Sequence, residues 1–251
     1  MESDESTISP EDALDRLGVT RLTEHSMRTL LGQIAGLAQQ SLPGGIDTSV
    51  TLLTGDNAVT VVSTGRLAMD LDESQYGLGH GPCLHAAAEG ELVEVPDTRA
   101  DARWPDFNRS AAERGCLSMV SAPLPMHEAV SGALNVYARS PAAFDEPSRA
   151  FVRRFASYGA VVAGNMLVYE SALDRAKNLE AALASRAVID QAKGVLMERY
   201  KLTADQAFQA LVRVSMETNT KVRDIAERFV TTGELSAAVV NLNGGASRSR
   251  F

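Results

Sequence analysis

Two cysteines, and the two histidines nearest to the first of them, are the residues whose types could support redox or metal chemistry. Cys83 follows Pro82 at the start of a predicted helix, where the helix dipole favours a thiolate and lowers the pKa of a thiol. Cys83 and Cys116 are therefore candidates for redox or ligand sensing. Together with His80 and His85 they could also form a metal site, but the irregular spacing of these four residues argues against one. Small buried cysteines are common, so packing is the interpretation that we favour.

A glycine inside a helix marks a second candidate site, in the C-terminal part of the chain. Residues 186–200 have the spacing of an amphipathic helix, whose apolar stripe comprises Val188, Ile189, Ala192, Val195, Leu196 and Tyr200. Gly194 falls on the opposite face, where the core requires no glycine. A glycine in a helix costs about 1 kcal/mol relative to alanine. The position therefore predicts that a partner approaches the bare backbone, and Lys193 supplies a neighbouring positive charge.

Two further helices complete a predicted three-helix bundle. Thr203 and Gln206 form a capping box at the start of the first of them. Residues 219–220 break this helix, and Gly233 ends the next one, predicted over about residues 221–232. The apolar positions of these two helices are Ala204, Ala207, Phe208, Leu211, Val212, Val214, Val222, Ile225, Ala226, Phe229 and Val230.

Several sequence elements of this bundle occur in a characteristic order. They are Ala-Lys-Gly-Val-Leu-Met at 192–197, Ala207-Phe208, Leu211, Ser215, Asn219, Lys221 and Ile225-Ala226. Together they resemble the ANTAR domain of bacterial response regulators over residues 186–235. The resemblance implies a homodimer that binds paired hairpin loops in nascent RNA and thereby prevents transcription termination. The RNA-binding residues that it implies are Lys193, Gly194, Arg213, Ser215, Asn219 and Lys221.

Most of these residues also have a purely structural interpretation. The cations could be ordinary solvated charges on helices. The Ser215 hydroxyl is expected to donate back to the Leu211 carbonyl, and Asn219 could serve only as a turn residue in the left-handed region. Gly194 is the residue for which such an explanation is hardest to find.

The charge distribution favours the C-terminal part as the binder of nucleic acid. Residues 186–251 contain ten Lys or Arg and seven Asp or Glu, a net charge of +3, whereas residues 1–185 contain fourteen and 25, a net charge of −11. Arg248 and Arg250 lie in the tail, so the bundle itself is nearly neutral. We therefore expect RNA binding to depend on dimerisation and loop shape, with a shallow salt dependence.

The first part of the chain has the pattern of an α+β domain. Ser9 and Pro10 begin a helical stretch that reaches about Gln40. Runs at 49–53 and 58–62 predict an antiparallel hairpin. Further strands are predicted at 92–95, 118–124 and 132–137.

A succession of short motifs runs through this domain. They are Gly-Leu-Gly-His-Gly-Pro-Cys-Leu at 77–84, Val-Glu-Val-Pro-Asp at 93–97, Arg-Trp-Pro-Asp-Phe at 103–107 and Gly-Ala-Leu-Asn-Val-Tyr at 132–137. The succession resembles a GAF sensory domain over residues 20–165, of the kind that is fused to ANTAR in actinobacteria. It implies a central antiparallel sheet with helices on one side and a pocket for a small molecule on the other. Neither that ligand nor a cofactor follows from the residues.

A long helix is predicted to join the two domains, because no proline follows Pro147 before Thr203. Beyond Met166 its apolar positions form a seam that suits a parallel coiled coil in a homodimer. The seam comprises Tyr169, Leu173, Ala176 and Leu183, with Glu180 as a polar member. The predicted organisation is an N-terminal segment at 1–19, a sensor domain at 20–165, a linking helix at 166–185, an RNA-binding domain at 186–235 and a disordered tail at 236–251.

Three classes of function compete. The combined motifs favour a signal-responsive RNA-binding antiterminator without enzymatic activity. A DNA-binding transcription factor is the alternative, because two helices joined by a short turn can enter a major groove. A cysteine-dependent reductase on a GAF fold is disfavoured, because the chain shows no paired general acid and base. No apolar run reaches the roughly 18 residues of a membrane span, and the acidic residues 1–5 do not resemble a signal peptide, so a cytoplasmic location is expected.

Overall fold

The chain divides into two compact units, and the division falls between Ser171 and Ala172. The computed structural model describes residues 8–44, 46–55, 57–126 and 130–235. The predicted disordered tail at 236–251 and the first seven residues of the predicted N-terminal segment lie outside the described residues.

Two N-terminal helices and a 3₁₀ turn occupy the predicted helical stretch of the first unit. Helix α1 spans Pro10–Gly18 and begins at Ser9, whose side chain accepts a hydrogen bond from the Asp12 amide as predicted for the cap. The 3₁₀ turn is Leu22–Glu24, and helix α2 spans Met27–Gln40. A capping box at the start of α2, between Ser26 and Thr29, separates it from α1.

A five-stranded antiparallel sheet forms the centre of the first unit. Its strands are β1 (Asp47–Thr54), β2 (Asn57–Ser63), β3 (Val93–Val95), β4 (Ser118–Pro123) and β5 (Val130–Ala138). They lie in the order β2-β1-β5-β4-β3. The predicted hairpin of β1 and β2 is confirmed, with Thr54 opposite Asn57 at its turn.

The two faces of the sheet differ in chemistry because side chains alternate along each strand. One face contributes Val50, Leu134 and Val136 to the main apolar core, which it forms with α2 and the long helix described below. The other face is covered by α3 (Arg66–Leu78), α4 (Pro82–Glu89) and α5 (Pro105–Glu113), so helices lie on both sides of the sheet and not on one side as the resemblance implied. This second face carries buried polar residues, which are described with the candidate sites.

Helix α6 is one uninterrupted helix, Glu146–Tyr200, as the absence of a breaker predicted. Val162, Met166 and Tyr169 pack against the core of the first unit, so the beginning of the predicted coiled-coil seam is occupied within one chain. From residue 171 to residue 184 every side chain of α6 is exposed. Within the described ranges, no helix combines the length and the apolar character needed to cross a membrane.

Two short helices pack on the end of α6 in the second unit: α7 (Ala204–Thr218) and α8 (Val222–Thr232). The capping box of Thr203 and Gln206 is confirmed, and Gly233 ends α8 in the left-handed conformation. The core consists of Ala192, Leu196, Ala207, Ala210, Leu211, Val214, Ile225, Ala226 and Phe229.

The sequence predicted more core residues in this unit than the structure buries. Val195, Phe208 and Val230 are exposed by 43%, 39% and 40%, and Ala204 is exposed as well. Each helix of so small a bundle contacts its neighbours along a narrow stripe, and at about 100° per residue these side chains lie at the margin of that stripe.

Candidate functional sites

The first candidate site is the exposed face of α6 around Gly194. The residue is exposed, and a Cβ built at this position meets nothing within 4 Å. The fold of the second unit therefore has no steric need for a glycine here, which agrees with the sequence prediction. The ammonium group of Lys193 lies 3.0 Å from a carboxylate oxygen of Asp190, so this cation is partly neutralised before any partner binds.

Three further residues of the predicted RNA surface lie at the end of α7 and in the turn that leads to α8. They are Ser215, Asn219 and Lys221. Asn219 ends α7 with φ 49° and ψ 39°, in the left-handed region that asparagine tolerates. The Thr220 amide donates to the Ser215 carbonyl at 3.2 Å, and the Ser215 hydroxyl donates to the Thr220 carbonyl at 2.6 Å. The predicted bond from Ser215 to the Leu211 carbonyl is therefore wrong, because the turn brings a free carbonyl nearer to the hydroxyl.

The remaining cations of the predicted RNA surface are open to solvent. Lys221 precedes the first turn of α8, and Arg213 lies on α7 before the turn; both are exposed. Within the part of the chain that the structure describes, neither has a carboxylate within 4.0 Å. The structure thus places the six predicted residues in two regions of the second unit: Lys193 and Gly194 on α6, and the other four on α7 and the turn that follows it.

The second candidate site is a buried polar network in the first unit. It is formed by Ser49, Thr51, Asp72, Gln75, Cys83, Ser121, Asn135 and Tyr137, all fully buried. Asn135 lies at its centre, because its amide nitrogen is 3.1 Å from both Ser49 Oγ and Thr51 Oγ1 and 3.3 Å from both Asp72 Oδ1 and Cys83 Sγ. The network ties β1 and β5 to α3 and α4.

Asp72 is the buried carboxyl group of this network. The Tyr137 hydroxyl donates to Asp72 Oδ1, and the Thr60 hydroxyl donates to Oδ2 at 2.9 Å. Burial raises the pKa of Asp72 from 3.8 to about 6, and these hydrogen bonds offset only part of that effect. The pKa of the Tyr137 hydroxyl is also raised well above its ordinary value, chiefly by burial. The interior therefore holds a group that changes charge near pH 6.

Two buried polar atoms of the network region remain without a partner. Ser121 and Asn135 are opposite each other on β4 and β5, and neither Ser121 Oγ nor Asn135 Oδ1 has a hydrogen-bond partner in the described residues. A buried oxygen left in this way costs free energy unless water or a ligand satisfies it. Sequence reasoning missed this site, although polar residues alternate with apolar ones at Ser49 and Thr51 and at Asn135 and Tyr137.

The cysteines do not have the properties of reactive thiols. Burial raises the pKa of Cys83 to about 12, and the negative charge of Asp72 adds to that effect. Burial likewise raises the pKa of Cys116 to about 12. The expectation that the helix dipole lowers the pKa of Cys83 is wrong, because the loss of solvation outweighs the dipole at a fully buried position. Across the described residues, no three His, Cys, Asp or Glu side chains lie close enough to hold a metal ion.

We expect both thiols to resist labelling in the folded protein. At pH 8 a thiol reagent should modify neither Cys83 nor Cys116 within minutes, because only the thiolate reacts and both groups are buried and protonated. Labelling in concentrated urea, followed by mass spectrometry, should show both cysteines modified and serves as the control. Fast modification of Cys83 in the native protein would contradict this and would support redox sensing.

Comparison with known families assigns both halves of the chain. The GAF domain family matches residues 24–162. The chain belongs to the GAF family. The ANTAR domain matches residues 177–230, so the exposed glycine on α6 and the turn between α7 and α8 both lie within that domain. With a GAF domain for small-molecule sensing and an ANTAR domain for RNA binding, the protein has the domains of a signal-responsive transcription antiterminator.

Solved structures resemble the GAF domain at low identity. A type II free methionine-R-sulfoxide reductase from Thermoplasma acidophilum is 15% identical, with 58% of this chain and 96% of that chain covered and a TM-score of 0.45. A free methionine-R-sulfoxide reductase from Neisseria meningitidis, solved with its substrate, is 18% identical, with 66% and 96% covered and a TM-score of 0.49. A GAF domain from a Coxiella burnetii phosphoenolpyruvate-protein phosphotransferase is 14% identical, with 67% and 99% covered and a TM-score of 0.49. No match is found among curated proteins.

Proposed function

We propose that the protein binds paired hairpin loops in nascent RNA through the ANTAR domain and that a signal at the GAF domain controls this binding. The observation that carries the proposal is Gly194, a solvent-exposed glycine inside α6, near its C-terminal end, where a Cβ would have open space around it. Such a residue destabilises the free helix, so a partner that needs close contact with the backbone accounts for it. An RNA loop with splayed bases is a partner of suitable shape.

We propose a homodimer that is joined along α6. In the second unit this helix leaves Leu179 and Leu183, four positions apart, exposed by 62% and 59%. An isolated helical segment is marginally stable in water, and exposed large apolar side chains at helical spacing favour association with a second helix. Leu183 belongs to the predicted seam as well, whereas Tyr169 of that seam is engaged with the core of the GAF domain.

We propose that the signal acts on the buried network around Asp72 and Asn135. This region joins the sheet to α3 and α4, and two of its oxygens have no partner among the described residues. A small ligand that donates hydrogen bonds would satisfy them and shift those helices. The domain then acts as a regulator without catalysis, a role that the protonated and buried cysteines support.

Binding of the full-length protein to defined nucleic acids tests the proposal. Gel shifts should show binding to RNA with two adjacent hairpins, two protomers per RNA, and no comparable binding to duplex DNA of equal length. The affinity should fall only gently with salt, because the cations of the domain are few. Equal or tighter binding to the duplex would favour the DNA-binding alternative, and a salt slope equivalent to about twelve or more phosphate contacts would contradict the proposed mode.

A further inference from the structure

A groove lies between the C-terminal part of α6 and the first turns of α7, within the second unit. Its volume is about 560 Å³, and its lining includes Arg186, Ile189, Asp190, Lys193, Asp205 and Phe208. Pockets of about 300–1,000 Å³ hold small, largely apolar ligands with a few polar contacts. The groove is therefore large enough to accept a planar group of the size of a nucleobase.

An exposed aromatic ring lines this groove. Phe208 follows the core residue Ala207, so its side chain is rotated by about 100° from the core stripe of α7. It remains 39% exposed, and Ile189 beside it in the groove is only partly buried. Aromatic side chains that are exposed in this way provide a surface on which an unstacked nucleobase can stack.

The rim of the groove carries both hydrogen-bond donors and acceptors. On α6, Asp190 lies 3.8 Å from the guanidinium of Arg186 and 3.0 Å from the ammonium of Lys193. Asp205 stands on the α7 side. Two cations and two carboxylates give no net charge, so the groove does not suit a phosphate chain. Amino groups and ring nitrogens of a base match such a mixed rim, since carboxylates accept from amino groups and Arg or Lys donate to base acceptors.

We propose that the groove holds one unpaired base of the RNA loop, stacked on Phe208 and bounded by Arg186 and Lys193. This inference rests on the proposed function and adds Phe208 and Arg186 to the residues that contact RNA. Continuity with the first candidate site supports it, because Lys193 lines the groove and the next residue is the exposed Gly194. A loop that contacts the bare backbone at Gly194 thus lies beside a place for one of its bases.

A leucine at Phe208 tests the inference in the full-length protein. Phe208→Leu keeps an apolar side chain but removes the ring, and it should weaken binding to the two-hairpin RNA by about tenfold, as expected for one stacked base. Val230→Leu is the matched control, because Val230 is 40% exposed, nearly as much as Phe208, and does not line the groove. The control should bind RNA as the wild type does.

A tryptophan at the same position gives a second, independent readout. In Phe208→Trp the new indole should be quenched when RNA is added, whereas the wild type, whose only tryptophan is Trp104 in the GAF domain, should change little. If circular dichroism shows that Phe208→Leu does not fold, the quenching of Phe208→Trp still tests whether a base stacks in the groove.

The outcomes separate the groove from the proposed function. Failure of the wild type to bind any hairpin RNA would overturn both. Wild-type binding with unchanged affinity in Phe208→Leu, or with no quenching in Phe208→Trp, would overturn the groove alone. A change in the mass of the free protein from dimer to monomer in Phe208→Leu, measured by light scattering, would also overturn it, since the groove would then be a contact between two copies of the chain.

Discussion

Replacing Gly194 with leucine is expected to weaken RNA binding by at least about tenfold while the ANTAR domain stays folded. Loss of one close backbone contact corresponds to about 1.4 kcal/mol or more of binding free energy. Nothing lies within 4 Å of a Cβ at this exposed position, so a side chain can leave the helix here without a clash at its Cβ. The affinity is measured by titration with the two-hairpin RNA, and the fold by circular dichroism.

An alanine at the same position is expected to change stability and RNA affinity in opposite directions. Gly194→Ala should raise the free energy of unfolding of the bundle by about 1 kcal/mol, because alanine is the better helix former. It should bind RNA less tightly than the wild type even so. Gln209→Leu is a control that adds apolar bulk at another exposed helical position of the same domain and should leave RNA binding unchanged. Undiminished RNA binding by a folded Gly194→Leu protein would refute the proposed surface.

Replacing Asp72 with asparagine is expected to stabilise the GAF domain at pH 8 and to have little effect near pH 4. The pKa of Asp72 is about 6 in the folded protein against 3.8 ordinarily, so folding favours the protonated form. That stabilising effect is complete below the unfolded pKa and is lost as the pH rises through the folded pKa. At pH 8 the ionised carboxylate therefore destabilises the folded domain by about 3 kcal/mol, which corresponds to the difference between these two pKa values. A neutral amide avoids this cost.

Urea denaturation at pH 4 and pH 8 measures this difference. Glu73→Gln removes a carboxylate from an exposed position on the same helix and should change the free energy of unfolding little at either pH. An equal effect of Asp72→Asn at both pH values would show that the buried carboxyl does not titrate as stated. A destabilised variant at pH 8 would show that the hydrogen bonds from Tyr137 and Thr60 outweigh the cost of burying the charge.

Local structure was predictable wherever its cause lies in neighbouring residues. The capping box of Thr203 and Gln206 depends on side chains three positions apart, and the continuous α6 follows from the absence of a proline after Pro147. The two β-rich runs at 49–53 and 58–62, which a short turn segment separates, likewise indicated the hairpin of β1 and β2. The exposure of Gly194 followed from the period of one helix.

The properties that only the tertiary structure decided are those that depend on distant parts of the chain. Whether Cys83 is a thiolate depends on how completely α3, α4 and the sheet exclude water from it, and the sequence around Pro82 carries no information on that exclusion. The partners of Asn135 come from segments more than fifty residues away, since chain topology brings them together. The sequence predicted Phe208 as a core residue, but among the described residues no helix buries its side chain, which stays 39% exposed. Burial is a property of the whole packed unit, and a local pattern therefore cannot determine it.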